Sequence, residues 1–245
     1  QKRINYSLQT QITKSTTQSL GSAVAIGDRL GYLIGDADDG KVYRYIYNGL
    51  THQFVLGQQI TENIGFGSTI SYASDIYAIA QPTGGGRCVK LYQLQNTKVS
   101  DDLVLVQTIT NVIGATTWGT SIAMSGDQNW IYISDIDNNT VHLYLKSTTP
   151  TTAGYFTIGE TYTITEIGTT DFTLIGATSN DIGVMFITTG IGSGTGTASN
   201  STYRNVTSID GDALGLTTPN DQFGYSLSTD YEGDCVVIGA PFKDK

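Results

Sequence analysis

The sequence predicts an all-β fold assembled from a repeated four-strand unit, and three observations carry that prediction. No stretch shows a heptad or a sustained 3.6-residue apolar period, the pattern an amphipathic helix requires. Glycine is abundant (29 of 245 residues), Tyr outnumbers Phe (15 against 7), and Thr and Ser fill most polar positions, a composition suited to short strands joined by tight turns. The third is an internal repeat. An apolar residue followed by Gly recurs as Leu20-Gly21, Phe66-Gly67, Trp118-Gly119 and Phe223-Gly224, each time opening a segment of alternating polarity.

These anchor glycines stand 46, 52 and 105 residues apart. Behind each comes a first strand: SAVAIG (22–27), STISYA (68–73), TSIAMS (120–125) and YSLSTD (225–230). A turn then leads to an apolar strand: LGYLIG (30–35), DIYAIA (75–80), WIYIS (130–134) and CVVIG (235–239). A second turn precedes VYRYIY (42–47), CVKLYQL (88–94) and VHLYL (141–145), and the first two repeats close with FVLGQQI (54–60) and LVLVQTI (103–109). Four antiparallel strands in roughly 50 residues, repeated at that period, are the signature of β-propeller blades, of which about three and a half are visible. A ring usually needs about 4 to 8 blades. More blades outside this stretch are therefore expected, the stop at Lys245 just after a Gly-Ala-Pro corner reading as an interruption. The alternative is closure by a strand from residues 1 to 17.

The 105-residue interval is about two repeats long, and its excess lies between Ala153 and Ala198, where the anchor is absent. Strands are expected there at Tyr155–Ile158, Tyr162–Ile167, Phe172–Ile175 and Val184–Ile187, and the closing GIGSGTGTA reads as a flexible linker. The expected organisation is thus propeller blades one to three in 1–149, a small inserted β module in 150–200, and the rest of blade three with the first half of the next blade in 201–245.

Two stretches resemble known families. QFGYSLSTDYEGDCVVIGAP (222–241) resembles the FG-GAP repeat of integrin-alpha-type β-propellers, although the first three repeats read IGDAD, IAQPT and ISDID where the family has Gly-Ala-Pro. In the insertion, IGETYTITEIGTTDFTLIGA, SNDIGVMF and TGIGSGTGTA resemble a small module of structural and tail-associated proteins of tailed phages, particularly those of marine cyanobacteria. The resemblance implies a virion structural protein of the tail, tail fibre or baseplate, serving attachment or assembly without catalysis. It also implies an extracellular particle carrying multiple copies, with other virion proteins and a host cell-surface glycan or protein as partners. A secreted bacterial adhesion or carbohydrate-binding propeller, and a tail-borne polysaccharide-degrading enzyme, are the alternatives.

The side-chain chemistry assigns no catalytic, cofactor-binding or metal residue. A net charge of −9 argues against nucleic acid as a partner, since phosphate binding rests on clustered Lys and Arg. No apolar run reaches the roughly 20 residues of a membrane helix. Asp230, Glu232 and Asp234 alternate where the FG-GAP resemblance would place a calcium loop, but the matching turns carry little acid: Asp28, Asp75 and Asp127. Asp36-Ala-Asp38-Asp39-Gly40 and Asp135-Ile-Asp137-Asn138-Asn139 read as hairpin turns. His52 and His142 lack partners at zinc-ligand spacing, and Cys88 and Cys235 are not favoured as a bridge. Gly84-Gly85-Gly86 is not followed by the Lys-Ser/Thr of a phosphate loop.

Overall fold

A computed structural model of the chain describes residues 19–27, 31–83, 86–94, 102–110, 117–218 and 220–243. Residues 1 to 17, the alternative closing strand, lie outside the described residues, as do Asp28 and Gly84-Gly85. The fold is all-β. Among the described residues there are three single 3-10 turns, and no helix is long and apolar enough to cross a membrane.

Sheet one holds β1 (Leu20–Ile26), β2 (Gly31–Asp36), β3 (Lys41–Asn48) and β4 (Gln53–Thr61), in that order and antiparallel throughout. Sheet two repeats the order with β5 (Thr69–Ala73), β6 (Ile76–Gln81), β7 (Cys88–Leu94) and β8 (Leu103–Thr110). Sheet three begins alike with β9 (Trp118–Met124), β10 (Trp130–Asp135) and β11 (Thr140–Thr152), then takes in β12 (Thr161–Glu166), β13 (Met185–Ile187) and β14 (Thr197–Asp210), in the order β13-β12-β14-β11-β10-β9. The hairpin of β15 (Ser226–Thr229) and β16 (Val236–Gly239) follows. The ladder between the third strand of each repeat and its outer neighbour bulges at one equivalent place in each large sheet, after Arg44, Leu91 and Leu143.

The sheets stack face to face, which explains why the second strand of each repeat reads as a continuous apolar run. All six residues of β6 are buried. Because side chains alternate across a strand, Tyr77 and Ile79 pack toward sheet one with Leu33, Val42 and Phe66, while Ala78 and Ala80 pack toward sheet three with Trp118, Ile131 and Ile133. Tyr132 on the other face of β10 meets Phe223, Leu227 and Ile238 of the last hairpin. Each fully buried Leu, Ile or Phe contributes about 1.5–3 kcal/mol relative to exposure. These inter-sheet layers are the core.

The anchor glycines set the stacking distance. Gly21, Gly67, Gly119 and Gly224 all have φ between +80° and +94°, a conformation in which a Cβ is strained. Gly67 lies against Gly35, Gly119 against Ala80 and Gly224 against Ser134, so each enters a place beside the small penultimate residue of the preceding sheet's second strand. The first strands follow one another in space, β1 on β5, β5 on β9 and β9 on β15. Side chains tie them: Ser22 Oγ donates to Gly67 O (2.9 Å), Thr69 Oγ1 to Thr120 O (2.9 Å), and Leu227 N to Ser121 Oγ (3.0 Å).

Three expectations for the insertion are corrected. Tyr155–Ile158 forms turn and irregular backbone, not a strand, and Phe172–Ile175 is a 3-10 turn. The turn is fixed by Asp171 Oδ1, which accepts from Thr173 N, by Asn180 Oδ1, which accepts from Phe172 N (2.9 Å), and by Gly176 in the left-handed region. The closing GIGSGTGTA is not a free linker. Gly196 N donates to Thr170 Oγ1 (2.9 Å), Thr195 and Thr169 exchange hydrogen bonds, and a Cβ on Gly194 would meet the Thr169 and Thr170 hydroxyls. The insertion has its own aromatic core of Phe156, Tyr162, Phe172 and Phe186. It is carried at the far end of an arm, β11 paired with β14 from Thr140↔Asp210 to Thr152↔Thr197.

Candidate functional site

A groove of about 270 Å³ runs between the outer strand of sheet two, β8, and the inserted module. Its floor is one face of β12, β14 and β11. Alternation along each strand puts Tyr162 and Ile164 into the module core, and leaves Thr161, Thr163 and Thr165 on the groove side. Ser199 and Ser201 on β14 and Thr148 on β11 continue the row, Thr163 standing opposite Ser199 and Ser201 opposite Thr148 in register. The hydroxyls pair across strands, Thr165 with Thr197 (2.8 Å) and Thr148 with Ser201 (3.1 Å).

The β8 wall is fastened to this floor by one side chain. Gln107 Nε2 donates to Tyr203 O (2.8 Å) and Gln107 Oε1 accepts from Tyr203 N (2.7 Å), so the amide takes up both polar groups of one residue's backbone. Gln58 makes the same pair of hydrogen bonds to Leu103 one sheet earlier (3.0 and 2.8 Å), from the equivalent place beside the bulge.

At the inner end of the groove stands Lys146. Its Nζ donates to Gln128 Oε1 (3.2 Å). Gln128 has φ +65°, and its Nε2 donates to Ala73 O (3.1 Å) and to Asp75 Oδ1, while Gln93 Nε2 holds Asp75 Oδ2 (2.7 Å). Tyr203 Oη donates to Gln128 O (2.6 Å). Burial pushes the Lys146 ammonium below its ordinary range, with Asp75 and Asp127 partly opposing. Burial also raises the Tyr203 phenol, and Asp75 and Asp127 add to the rise. Asp127 is itself held below the usual carboxylate range: desolvation, the largest single influence, opposes ionisation, and the hydrogen bonds from Ser125 and Asn129 together outweigh it.

Across the arm, a second hollow of about 330 Å³ contains the exposed Tyr155 ring, Arg204 and Glu160, whose Oε2 accepts from Asn200 Nδ2 (3.2 Å).

The residues singled out from sequence lie elsewhere. Asp230, Glu232 and Asp234 occupy the β15–β16 turn, where Asp230 Oδ1 accepts from Cys235 N (3.2 Å) and so closes its own hairpin. That hairpin is docked on sheet three by Tyr132 Oη to Gly233 O and by Asp127 N to Tyr231 O (3.0 Å). Among the described residues no three His, Cys, Asp or Glu side chains converge as a metal site. The two Asp-rich stretches form 3-10 turns closed by Gly40 and Asn139 in the left-handed region. Cys88 is buried, Cys235 exposed, and both are free. His52 Nδ1 meets Tyr47 Oη at 2.9 Å, and His142 packs on Trp118. Lys146, Gln107 and Gln128 were not singled out, because their roles come from neighbours 18 to 96 residues away. The sparse acids Asp75 and Asp127, alone at matching turns, were the available signal.

No protein-family model and no curated protein matches the chain. Solved structures with a loose likeness include a protein from Lactobacillus plantarum (15% identity over 50% of this chain and 36% of that one, TM-score 0.41). A candidate 6-phosphogluconolactonase of Bacteroides fragilis is 9% identical, with 52% and 36% covered and a TM-score of 0.40. A protein of unknown function from Desulfotomaculum acetoxidans is 10% identical, with 89% and 62% covered and a TM-score of 0.40. The chain spans less than two thirds of the length of each of these three structures.

Proposed function

We propose that this chain is part of a β-propeller of the FG-GAP type, and that it serves attachment or assembly without catalysis in the virion of a tailed phage, on the tail, tail fibre or baseplate. The propeller reading is supported by the anchor glycines Gly67, Gly119 and Gly224, each of which lies against the preceding sheet at the equivalent place. The phage reading is supported by the wording of the insertion, IGETYTITEIGTTDFTLIGA, which resembles modules of phage structural proteins.

One observation carries the attachment role. The module is held out on a paired two-stranded arm, and with β8 it encloses a groove of hydroxyl, amide and apolar side chains, which suits holding a ligand. Repeated copies on one particle turn weak single contacts into avidity where spacing lets several engage. The test compares purified monomer with a multivalent display on host cells, with host polysaccharide incubated in parallel. Strong binding by the display alone is expected. Oligosaccharide release abolished by substituting a carboxylate pair would overturn the non-catalytic reading, and equal, negligible binding by both forms would overturn receptor attachment.

A further inference from the structure

We infer that the groove between β8 and the hydroxyl-bearing face of β12, β14 and β11 holds an extended saccharide, and that Lys146 at its inner end receives a carboxylate of that saccharide. The purpose of such a site rests on the attachment reading above. Its chemistry rests on the groove alone.

The floor is a grid of hydroxyls. Neighbouring strands lie about 4.8 Å apart, and residues on the same face of one strand about 6.8 Å apart. Thr161, Thr163, Thr165, Ser199, Ser201 and Thr148 therefore offer regularly spaced hydroxyls, the groups that also line a sugar; the Thr148–Ser201 and Thr165–Thr197 bonds use part of that capacity and leave acceptor lone pairs on each oxygen. Val106 and Met185 add apolar surface for the C–H faces of a pyranose ring. An extended peptide would be recognised by free ladder groups at a sheet edge. Here the hydroxyls stand on the face of a sheet, whose backbone is held by the β12–β14 and β14–β11 ladders and, at Tyr203, by Gln107; pairing of a peptide with the β8 edge is the competing outcome, and would move the amides of residues 103–110 instead.

The cation gives the ligand its charge. The anions nearest Lys146 are satisfied by neutral donors: Asp75 by the amides of Gln128 and Gln93, Asp127 by Ser125 and Asn129. Among the described residues Lys146 has no carboxylate oxygen within 4 Å, and its one side-chain partner is Gln128, which leaves two of three ammonium hydrogens for a ligand. No Asp or Glu lines this part of the groove. A half-buried ammonium in that setting gains most from an incoming carboxylate, because the charge-assisted bond forms where water is already partly excluded. In a chain of net charge −9, this one ammonium receives one carboxylate of the saccharide.

The experiment is calorimetric titration of the full chain with tetragalacturonate and tetramannuronate, and with their carboxyl-reduced neutral counterparts. At least one uronate is expected to bind, about tenfold more tightly than its neutral counterpart. Lys146→Met should abolish that tenfold preference, Thr163→Val should weaken binding of both forms, and Arg204→Met, which removes one positive charge outside the groove, should change nothing. Amide shifts on the unmodified chain give a second readout, independent of whether any variant folds: residues 161–165 and 199–203 should move on adding the uronate. Binding of neither uronate, shifts confined to other surfaces, or equal losses in Lys146→Met and Arg204→Met would each overturn the inference. Groove binding that persists while the multivalent display fails on cells would instead overturn the attachment reading and leave this site standing.

Discussion

Gly67→Ala tests the stacking mechanism at its most constrained point. A Cβ on Gly67 would stand 2.9 Å from Val42 Cγ2, 3.0 Å from Lys41 O and 3.2 Å from Gly35 Cα, two of which are backbone atoms that cannot rotate away. Overpacking of this kind costs about 1–3 kcal/mol. The backbone, at φ +88°, adds about 1–2 kcal/mol for any residue with a Cβ. The sum is about 2–5 kcal/mol. Gly154→Ala isolates the conformational part, since Gly154 has φ +98° with no atom within 4 Å of its would-be Cβ, and should cost about 1–2 kcal/mol. Urea denaturation followed by circular dichroism measures both, and in thermal melts each kcal/mol corresponds to about 2–4 °C for a chain of this size. Equal midpoints for the two variants would refute the idea that the anchor glycine sets the distance between sheets.

Three further outcomes are expected. Gln107→Ala should cost about 1–3 kcal/mol by leaving the Tyr203 amide and carbonyl unpaired, and hydrogen exchange should quicken at Tyr203. Burial against Trp118 holds the His142 imidazole below its ordinary value of 6.5, with Asp135 partly opposing. The unfolded chain then binds this proton first as pH falls, so its contribution to stability is complete above pH 6.5 and is lost below it as pH falls through the folded value. A wild-type urea midpoint that drops from pH 7 to 5, with a smaller drop in His142→Gln, is the expected result. Replacing residues 153–196 by Asn-Gly should leave the stacked sheets folded, because Thr152 and Thr197 are register partners that a two-residue hairpin turn can join; loss of the cooperative transition would count against it.

The sequence was most legible where a strand is buried. DIYAIA and WIYIS stand out because sheets on both sides demand apolar residues, and the anchors stand out because each takes a positive φ and Gly67, Gly119 and Gly224 are also pressed against the preceding sheet. The arm was half hidden. VHLYL was legible, but β11 continues through KSTTPTT and β14 runs through TASNSTYRNV, where partly exposed faces leave no alternation and pairing alone keeps the chain extended. Phe172–Ile175 misled because a short, mostly apolar run has the same pattern in a strand and in one helical turn; Asn180, eight residues from Phe172, decides between them. The linker reading of GIGSGTGTA failed for a related reason, since glycine marks both free chain and close approach, and here Thr169 and Thr170 approach closely. The groove was not legible, because its wall and floor come from β8, β11, β12 and β14.

The arm also has a mechanical consequence. A force pulling the module outward along β11 and β14 is resisted by the β10–β11 ladder, whose residue pairs from Trp130↔Leu145 to Asp135↔Thr140 lie across the pull. Their hydrogen bonds are loaded together in shear and cannot be opened one at a time. Inside the module, β13 is held to β12 by the pairs Thr161↔Ile187 to Thr163↔Met185 and by flanking backbone bonds at Ile164–Val184 and Glu160–Thr188, a shorter ladder than that of the arm. A tug on the module's tip would therefore open this short pairing while the arm stayed seated, and the torn segment could re-form once the load was released.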